Sequence, residues 1–378
     1  MAPPSTTETP LARLLKARIR EQGAISFADY MRECLYHSEH GYYRAREAQR
    51  FADYYTSVDV HPIFGRLLAR QLAEMWQALG RPEPFWVVEP GAGIGRLAKH
   101  ILDFAARELR EFYAALSYVV VEQSRERQAA QTATLARYVE AGCASSAAEL
   151  PPEIPAGCVL SNELLDALPV HRVVHKQGVS CEIFVTLRND EFVEQVRPLS
   201  TPALAEYFEV QDIELLEGQQ AEVGLEACRW IEDVSRRLGR GFVLTVDYGH
   251  EARELYNAHH LRGTLLAYQQ HRASEDYFRA PGEQDLTAHV NFTALELWGR
   301  HGGLERTGFV SQARFLLALG RRSGLTELYD EGQNEVERIQ ARLLWKNLIF
   351  PEGMGEVFRV MIQHKGVVSP QLTGLEPL

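Results

Sequence analysis

The chain has 378 residues, 46% hydrophobic and 24% charged, which is ample apolar material for a large core with an added subdomain. Its net charge of −11, from 40 Lys plus Arg against 51 Asp plus Glu with no run of cations, argues against a protein that tracks nucleic-acid phosphates. No stretch approaches the roughly 18 apolar residues of a membrane span, and Cys34, Cys143, Cys158, Cys181 and Cys228 are scattered, never spaced CxxC, as in a reduced cytoplasmic protein. The first ten residues, MAPPSTTETP, lack the cationic and apolar regions of a signal peptide and are expected to be a disordered lead. The 13 histidines show no zinc-type spacing, so no metal is expected. Helical spacing follows over Leu11 to Glu21, and Ser26 is a suitable N-cap for a second helix to about Leu35. The tyrosines Tyr42, Tyr43, Tyr54 and Tyr55 either line a pocket or fill a gap between elements. From Pro62 to Leu79 the apolar positions Ile63, Leu67, Leu68, Leu72, Met75 and Leu79 mark an amphipathic helix with proline at its start. Residues 1–80 thus read as a helical lead-in.

The stretch FWVVEPGAGIGRL, from Phe85 to Leu97, reads as strand, glycine turn and helix. Gly91, Gly93 and Gly95 allow positive φ and close approach of a ligand, and the helix start presents unpaired N–H groups. The spacing is GxGxG rather than the GxGxxG of dinucleotide binders, and Glu89 would meet a diphosphate with like charge. An acid there suits a cationic group. A tight turn with no ligand is the alternative, so later segments must carry the argument.

Leu116 to Val121 is a second strand tipped by Glu122, placed to accept hydrogen bonds from both ribose hydroxyls of a nucleoside, or else simply solvated. Ser124 caps the next helix, and Cys143 to Ser146 is a third strand tip beside which an adenine would be read by backbone groups. Gly157 to Leu160 is the fourth strand, ending in SNELLDALPVHRV. Asn162, Glu163 and Asp166 therefore cluster beyond a strand's carboxyl end, where open α/β sheets place their chemistry. A helical turn there, stopped by Pro169, would set Glu163 and Asp166 on nearly one face. Acids at a helix start also complement its dipole without any function.

From Val170 to Arg197 the pattern alternates, reading as two hairpins or an inserted antiparallel ribbon around Gly178 and Asn189–Asp190. Helices at about 201–209 and 222–238 lead to a fifth strand, Phe242 to Val246, tipped by Asp247, Tyr248 and Gly249. A long polar stretch holding His271, Asp285 and His289 follows and has the character of a functional segment that shapes substrate binding with Tyr248. A helix from Thr293, a sixth strand near Leu304 to Phe309, helices through Leu319 and from Asn334 to Leu348, and a last strand, Glu356 to Gln363, complete a seven-stranded sheet. The expected organisation is an α/β, Rossmann-like sheet. Its first half lies at 81–169, the inserted ribbon and helices at 170–240, and its second half at 241–378.

ExGxGxG looks like the first motif of S-adenosylmethionine (SAM) dependent methyltransferases. With it, ISFADYM, EHGYY, the block from Asp53 through FGRLLA, NELLDALPV, VDYGH, DLTAHVNF and MGEVFRV resemble the MidA family of such enzymes, over about residues 20–365. Ala52 before Asp53, His37 and Ser38, and Asn291 depart from the family's usual residues. The family includes the mitochondrial complex I assembly factor that methylates an arginine. The resemblance implies a class I methyltransferase sheet with SAM as cofactor, held by Glu89, Gly91, Gly93 and Glu122 (with Gly95 completing the turn), and Asn162 and Glu163 at its reactive end. It also implies a protein acceptor, arginine by family. Transfer to a cationic guanidinium needs carboxylates, first Glu163, with Asp166 and Asp247 behind it. A small-molecule methyltransferase, a SAM-binding assembly factor with little turnover and a nicotinamide-linked oxidoreductase are the rivals; the acceptor and the oligomeric state stay open.

Overall fold

The computed structural model of the protein describes residues 8–45, 61–269, 272–330 and 333–378. The chain divides into two compact units. One comprises the described residues of Met1–Tyr54, Leu165–Arg229 and Gly249–Leu295; the other those of Tyr55–Leu164, Trp230–Tyr248 and Glu296–Leu378.

The second unit carries the large sheet. Its strands are β1 (Phe85–Pro90), β2 (Leu116–Val121), β3 (Ala144–Ala147), β4 (Ile154–Asn162), β5 (Leu238–His250, of which the first eleven residues belong here), β6 (Glu305–Ser311) and β7 (Phe358–Lys365). They lie in the order β6-β7-β5-β4-β1-β2-β3. β3, β2, β1, β4 and β5 are mutually parallel, and β7 runs antiparallel to both β5 and β6. This is the expected seven-stranded class I order, with the chain reversing between β1 and β4. Strands buried on both faces read as continuous apolar runs, which is why Val87, Val88, Val120, Leu160 and Leu244 announced them. At Gly157 a Cβ would stand 2.0 Å from the carbonyl oxygen of Trp86, so only glycine lets β4 lie against β1.

Helix α1 (Ile63–Ala78) buries Ile63, Leu67, Leu68, Leu72 and Met75 completely, at about 2 kcal/mol each. These side chains share one core with Leu97, Ile101 and Leu102 of α2 (Arg96–Glu108) and with the strands. Helix α3 (Arg125–Thr134) starts at Ser124, whose hydroxyl accepts the Arg127 N–H as the sequence suggested.

The first unit has its own core, built from Leu11, Leu15, Phe27, Tyr30, Met31 and Val185 among others. Its helices Pro10–Gln22 and Phe27–Tyr36 are capped by Thr9 and Ser26. The alternating segment forms two hairpins, His171–Lys176 with Val179–Arg188 and Val179–Arg188 with Glu191–Arg197. Their turns use positive φ at Gln177, Gly178, Asn189 and Asp190, the two-residue geometry that matches strand twist. Gln220–Val223 and the two-residue strand Ile25–Ser26 widen this sheet to five strands. The polar stretch folds as a small three-stranded sheet, Arg272–Ser274, Leu266–Gln269 and Asp285–Thr287, and Val290–Asn291 pairs in parallel with Gly249–His250. Arg172 anchors the unit: it is 4% exposed, its guanidinium bonds Glu194, Tyr277 and Gln220, and it lies over the rings of Phe27 and Tyr277.

One local expectation fails. Residues 163–168 form no helix, so Glu163 and Asp166 do not share a helical face. Glu163 takes φ +51°, outside the right-handed helical region, and its N–H is drawn to the carbonyl of Val246 at 3.0 Å.

Candidate active site

The carboxyl ends of β1, β2, β4 and β5 carry the residues of interest in the second unit. The turn after β1 places Gly91, Gly93 and Gly95 all in the left-handed region, with φ of +69°, +54° and +83°. The Gly91 N–H donates to Val121 and the Gly95 N–H to Ala92, which fixes the loop against β2 and closes it into the start of α2. A Cβ on Gly93 would meet nothing within 4 Å, so that turn presents bare backbone to open space.

Glu89, just before the turn, is 4% exposed and accepts the Tyr118 hydroxyl of β2 at 2.6 Å. Burial pushes its carboxyl up to about 8, against a smaller downward pull from the Tyr118 hydrogen bond. Glu122 at the tip of β2 is anchored by its own N–H to Ala147, and its carboxylate accepts Arg127 at 3.0 Å and the Gln123 N–H at 3.1 Å. A carboxylate has about four acceptor positions, so Glu122 retains capacity for a pair of hydroxyls.

At the tip of β4 the Asn162 amide donates to Glu163 at 3.2 Å. The Oδ1 atom of Asn162 is shielded from solvent and has no hydrogen-bond partner among the described residues. A buried acceptor left this way costs about 1–3 kcal/mol, which a ligand bearing N–H donors would recover. Asp247, fully buried at the tip of β5, accepts the Leu164 N–H at 3.2 Å and the Tyr248 N–H at 2.9 Å. It thereby ties the chain after β4 to β5. The Tyr248 ring packs on Phe358, with centroids 4.0 Å apart.

The structure therefore brings Glu89, Gly91, Gly93, Gly95, Glu122, Asn162, Glu163, Asp247 and Tyr248 into one unit, on the carboxyl edge of one sheet. Asp166, Asp285 and His289 belong to the first unit. Asp166 is 6% exposed, Asp285 accepts the Tyr43 hydroxyl at 3.0 Å, and the Tyr268 hydroxyl is pushed up by burial and then by the charges of Asp166 and Asp285. Those two aspartates thus share one electrostatic neighbourhood. The His289 ring lies 5.4 Å from that of His250, and the N–H of its neighbour Ala288 donates to the Asp166 carbonyl at 3.0 Å. His271, Tyr54, Tyr55 and the Ala52–Asp53 block lie outside the described residues. Two supporting side chains escaped the sequence reading: Tyr118, which looked like one more core aromatic, and Gln131. Nothing in the sequence singled out Gln131, since Gln128 offers the same amide one turn earlier on the same helix.

Among the described residues no group of three or more His, Cys, Asp or Glu side chains could hold a metal ion, and no helix is long and apolar enough to cross a membrane. All five cysteines are free.

A family model described as "Putative S-adenosyl-L-methionine-dependent methyltransferase" matches residues 67–310. The chain belongs to this methyltransferase family. A COG1565 superfamily member of the same fold from Burkholderia thailandensis, crystallised with S-adenosyl-homocysteine (SAH), is 31% identical with a TM-score of 0.86 over 98% of this chain and 97% of that one. Curated relatives include the Drosophila melanogaster "Protein arginine methyltransferase NDUFAF7 homolog, mitochondrial", 28% identical over 96% of this chain and 86% of the relative. The Mus musculus "Protein arginine methyltransferase NDUFAF7, mitochondrial" is 30% identical over 94% and 84%. This chain is accordingly a SAM-dependent methyltransferase on a Rossmann-like sheet, and its cofactor is SAM.

Proposed function

We propose that the methyltransferase holds its cofactor at the glycine turn and methylates an arginine side chain of a protein. The observation that carries the placement is the solvent-shielded, unpartnered Oδ1 of Asn162 at the same sheet edge as the bare Gly93 backbone and the half-committed Glu122 carboxylate. An acceptor seeking N–H donors, a glycine turn and a diol acceptor suit, in turn, the amino-acid, central and ribose portions of SAM. When bound, SAM supplies a methyl group as a cation equivalent. Glu89 and Asn162 then hold positive charge and N–H donors, Glu122 orients the ribose hydroxyls, and Asp247 keeps the turn after β4 in place through its main-chain bonds. Glu163, stationed at the β4 tip by its own N–H and touching the Asn162 amide, is the carboxylate that takes the proton an arginine nitrogen must lose on methylation.

The protein-arginine acceptor is supported by the printed names of the curated relatives. Their names also say mitochondrial; for this chain we propose the cytoplasm, to be checked by cell fractionation. The deciding experiment incubates the protein with methyl-tritiated SAM and lysate, then resolves the label by size and hydrolyses the protein fraction. Label in methylarginine supports the reading. Label in small molecules, or none, rejects the acceptor and favours a small-molecule enzyme or an assembly factor.

A further inference from the structure

We infer that Gln131 is a positioning residue for cofactor binding, an inference that rests on the cofactor occupying the glycine turn. Gln131 is fully buried on α3. Its Nε2–H donates to the carbonyl of Gly93 at 3.0 Å, and its Oε1 accepts the Ser146 hydroxyl of β3 at 2.6 Å. The chemistry fixes which way the amide faces. A carbonyl can only accept, so the NH2 group must face Gly93, which leaves the oxygen for the Ser146 hydroxyl to donate to. The backbone of α3 and Leu135 just after it back the same loop: a Cβ on Gly95 would stand 3.8 Å from the Gln131 Cα and 3.4 Å from the Leu135 side chain.

The consequence lies in the peptide plane between Gly93 and Ile94. In a trans peptide the carbonyl and the following N–H point in opposite directions. Holding the Gly93 oxygen toward α3 therefore turns the Ile94 N–H to the other side of the loop. The Gly91 and Gly95 hydrogen bonds hold the two ends of the loop, and Gly93, at φ +54° with no Cβ, leaves the peptide plane between them to be set by the buried amide. Ser146 selects the amide in turn. Gln131 so links the turn after β1, the tip of β3 and helix α3, three elements around which a nucleoside-bearing ligand would be bound, without being required to touch that ligand.

The test uses the full chain and SAH. Gln131→Glu keeps an acceptor for Ser146 but sets a carboxylate against the Gly93 carbonyl; Gln131→Met keeps the volume and makes neither bond; Ser146→Ala removes only the hydroxyl that orients the amide. Calorimetric Kd for SAH, hydrogen exchange of the peptide spanning 90–97, and thermal unfolding are read for each. Loss of the buried hydrogen bond to the Gly93 carbonyl, common to both variants, predicts an SAH Kd raised about tenfold in Gln131→Glu and Gln131→Met. Exchange should quicken in the turn while the β4 and β5 peptides stay protected. Ser146→Ala should shift Kd the same way by less, and add little on top of Gln131→Met. Unchanged SAH affinity in Gln131→Glu overturns the inference, as does uniformly faster exchange across the whole sheet, which would make Gln131 a general structural residue. Should either Gln131 variant fail to fold, Ser146→Ala alone decides, unchanged affinity again being the overturning result. Glu122→Ala runs alongside. If it binds SAH normally, the site reading itself fails and the inference with it; if it loses SAH while the Gln131 variants do not, only the inference falls.

Discussion

Replacing Glu89 by Gln removes a buried titrating group while preserving an acceptor for the Tyr118 hydroxyl. In the folded protein burial holds the Glu89 carboxyl at about 8, whereas in the unfolded chain it ionises near 4.5. The folded state thus keeps a proton that the unfolded state gives up, so stability falls as pH rises from about 4.5 and levels off above about 8. With those two values the linkage relation gives a loss of about 2 kcal/mol between pH 6 and pH 8, close to its limit of about 1.4 kcal/mol per unit. The assay is urea unfolding of ligand-free wild type and Glu89→Gln at both pH values. The difference in stability between the two proteins should shift in favour of the variant by about 2 kcal/mol on going from pH 6 to pH 8. Parallel pH profiles would refute the reasoning, because they would mean that Glu89 is hydrated or already ionised in the fold.

Three further outcomes follow from the same geometry. A cation brought beside Glu89 favours its ionised form, so SAM binding at pH 7 should release protons, seen as a binding enthalpy that depends on the ionisation heat of the buffer; Glu89→Gln should lose that dependence. Glu163→Gln should retain SAM affinity within about twofold and lose transfer by about 10²-fold or more, the usual weight of a general base; equal turnover would remove Glu163 from the chemistry. Arg172→Met should destabilise the first unit by about 3 kcal/mol, since Glu194, Tyr277 and Gln220 all lose a partner; a denaturation midpoint unchanged from wild type would show that those groups re-pair or reach water.

The central strands β1, β2, β4 and β5 were legible because they carry apolar runs with acids at or just beyond their carboxyl ends. Central parallel strands write that signature into the chain, since they are buried on both faces and end at the ligand edge, unlike the partly exposed edge strands β3 and β6. Glu89, the glycine turn, Glu122 and Asn162–Glu163 were found that way, and the hairpin turns at Gln177–Gly178 and Asn189–Asp190 from turn chemistry. The shape of NELLDALP was not legible. Helix-favouring residues stand there, but the β5 tip outbids local preference: Val246 takes the Glu163 N–H and Asp247 takes the Leu164 N–H. The partners Tyr118 and Gln131 were invisible for a related reason. Their importance comes from which atom they face across the sheet or helix, and neither spacing nor composition encodes that. Nor did residue order show that helices Pro10–Gln22 and Phe27–Tyr36 share a core with Val185 and Leu286, far along the chain.

The most direct test of the account is a crystal structure of the protein with SAH. The account predicts ligand density along the turn Gly91–Gly95, with the ribose on Glu122 and the amino-acid end within hydrogen-bond reach of Asn162. Ligand bound elsewhere, or a turn closed by side chains with Asn162 Oδ1 paired inside the protein, would contradict it.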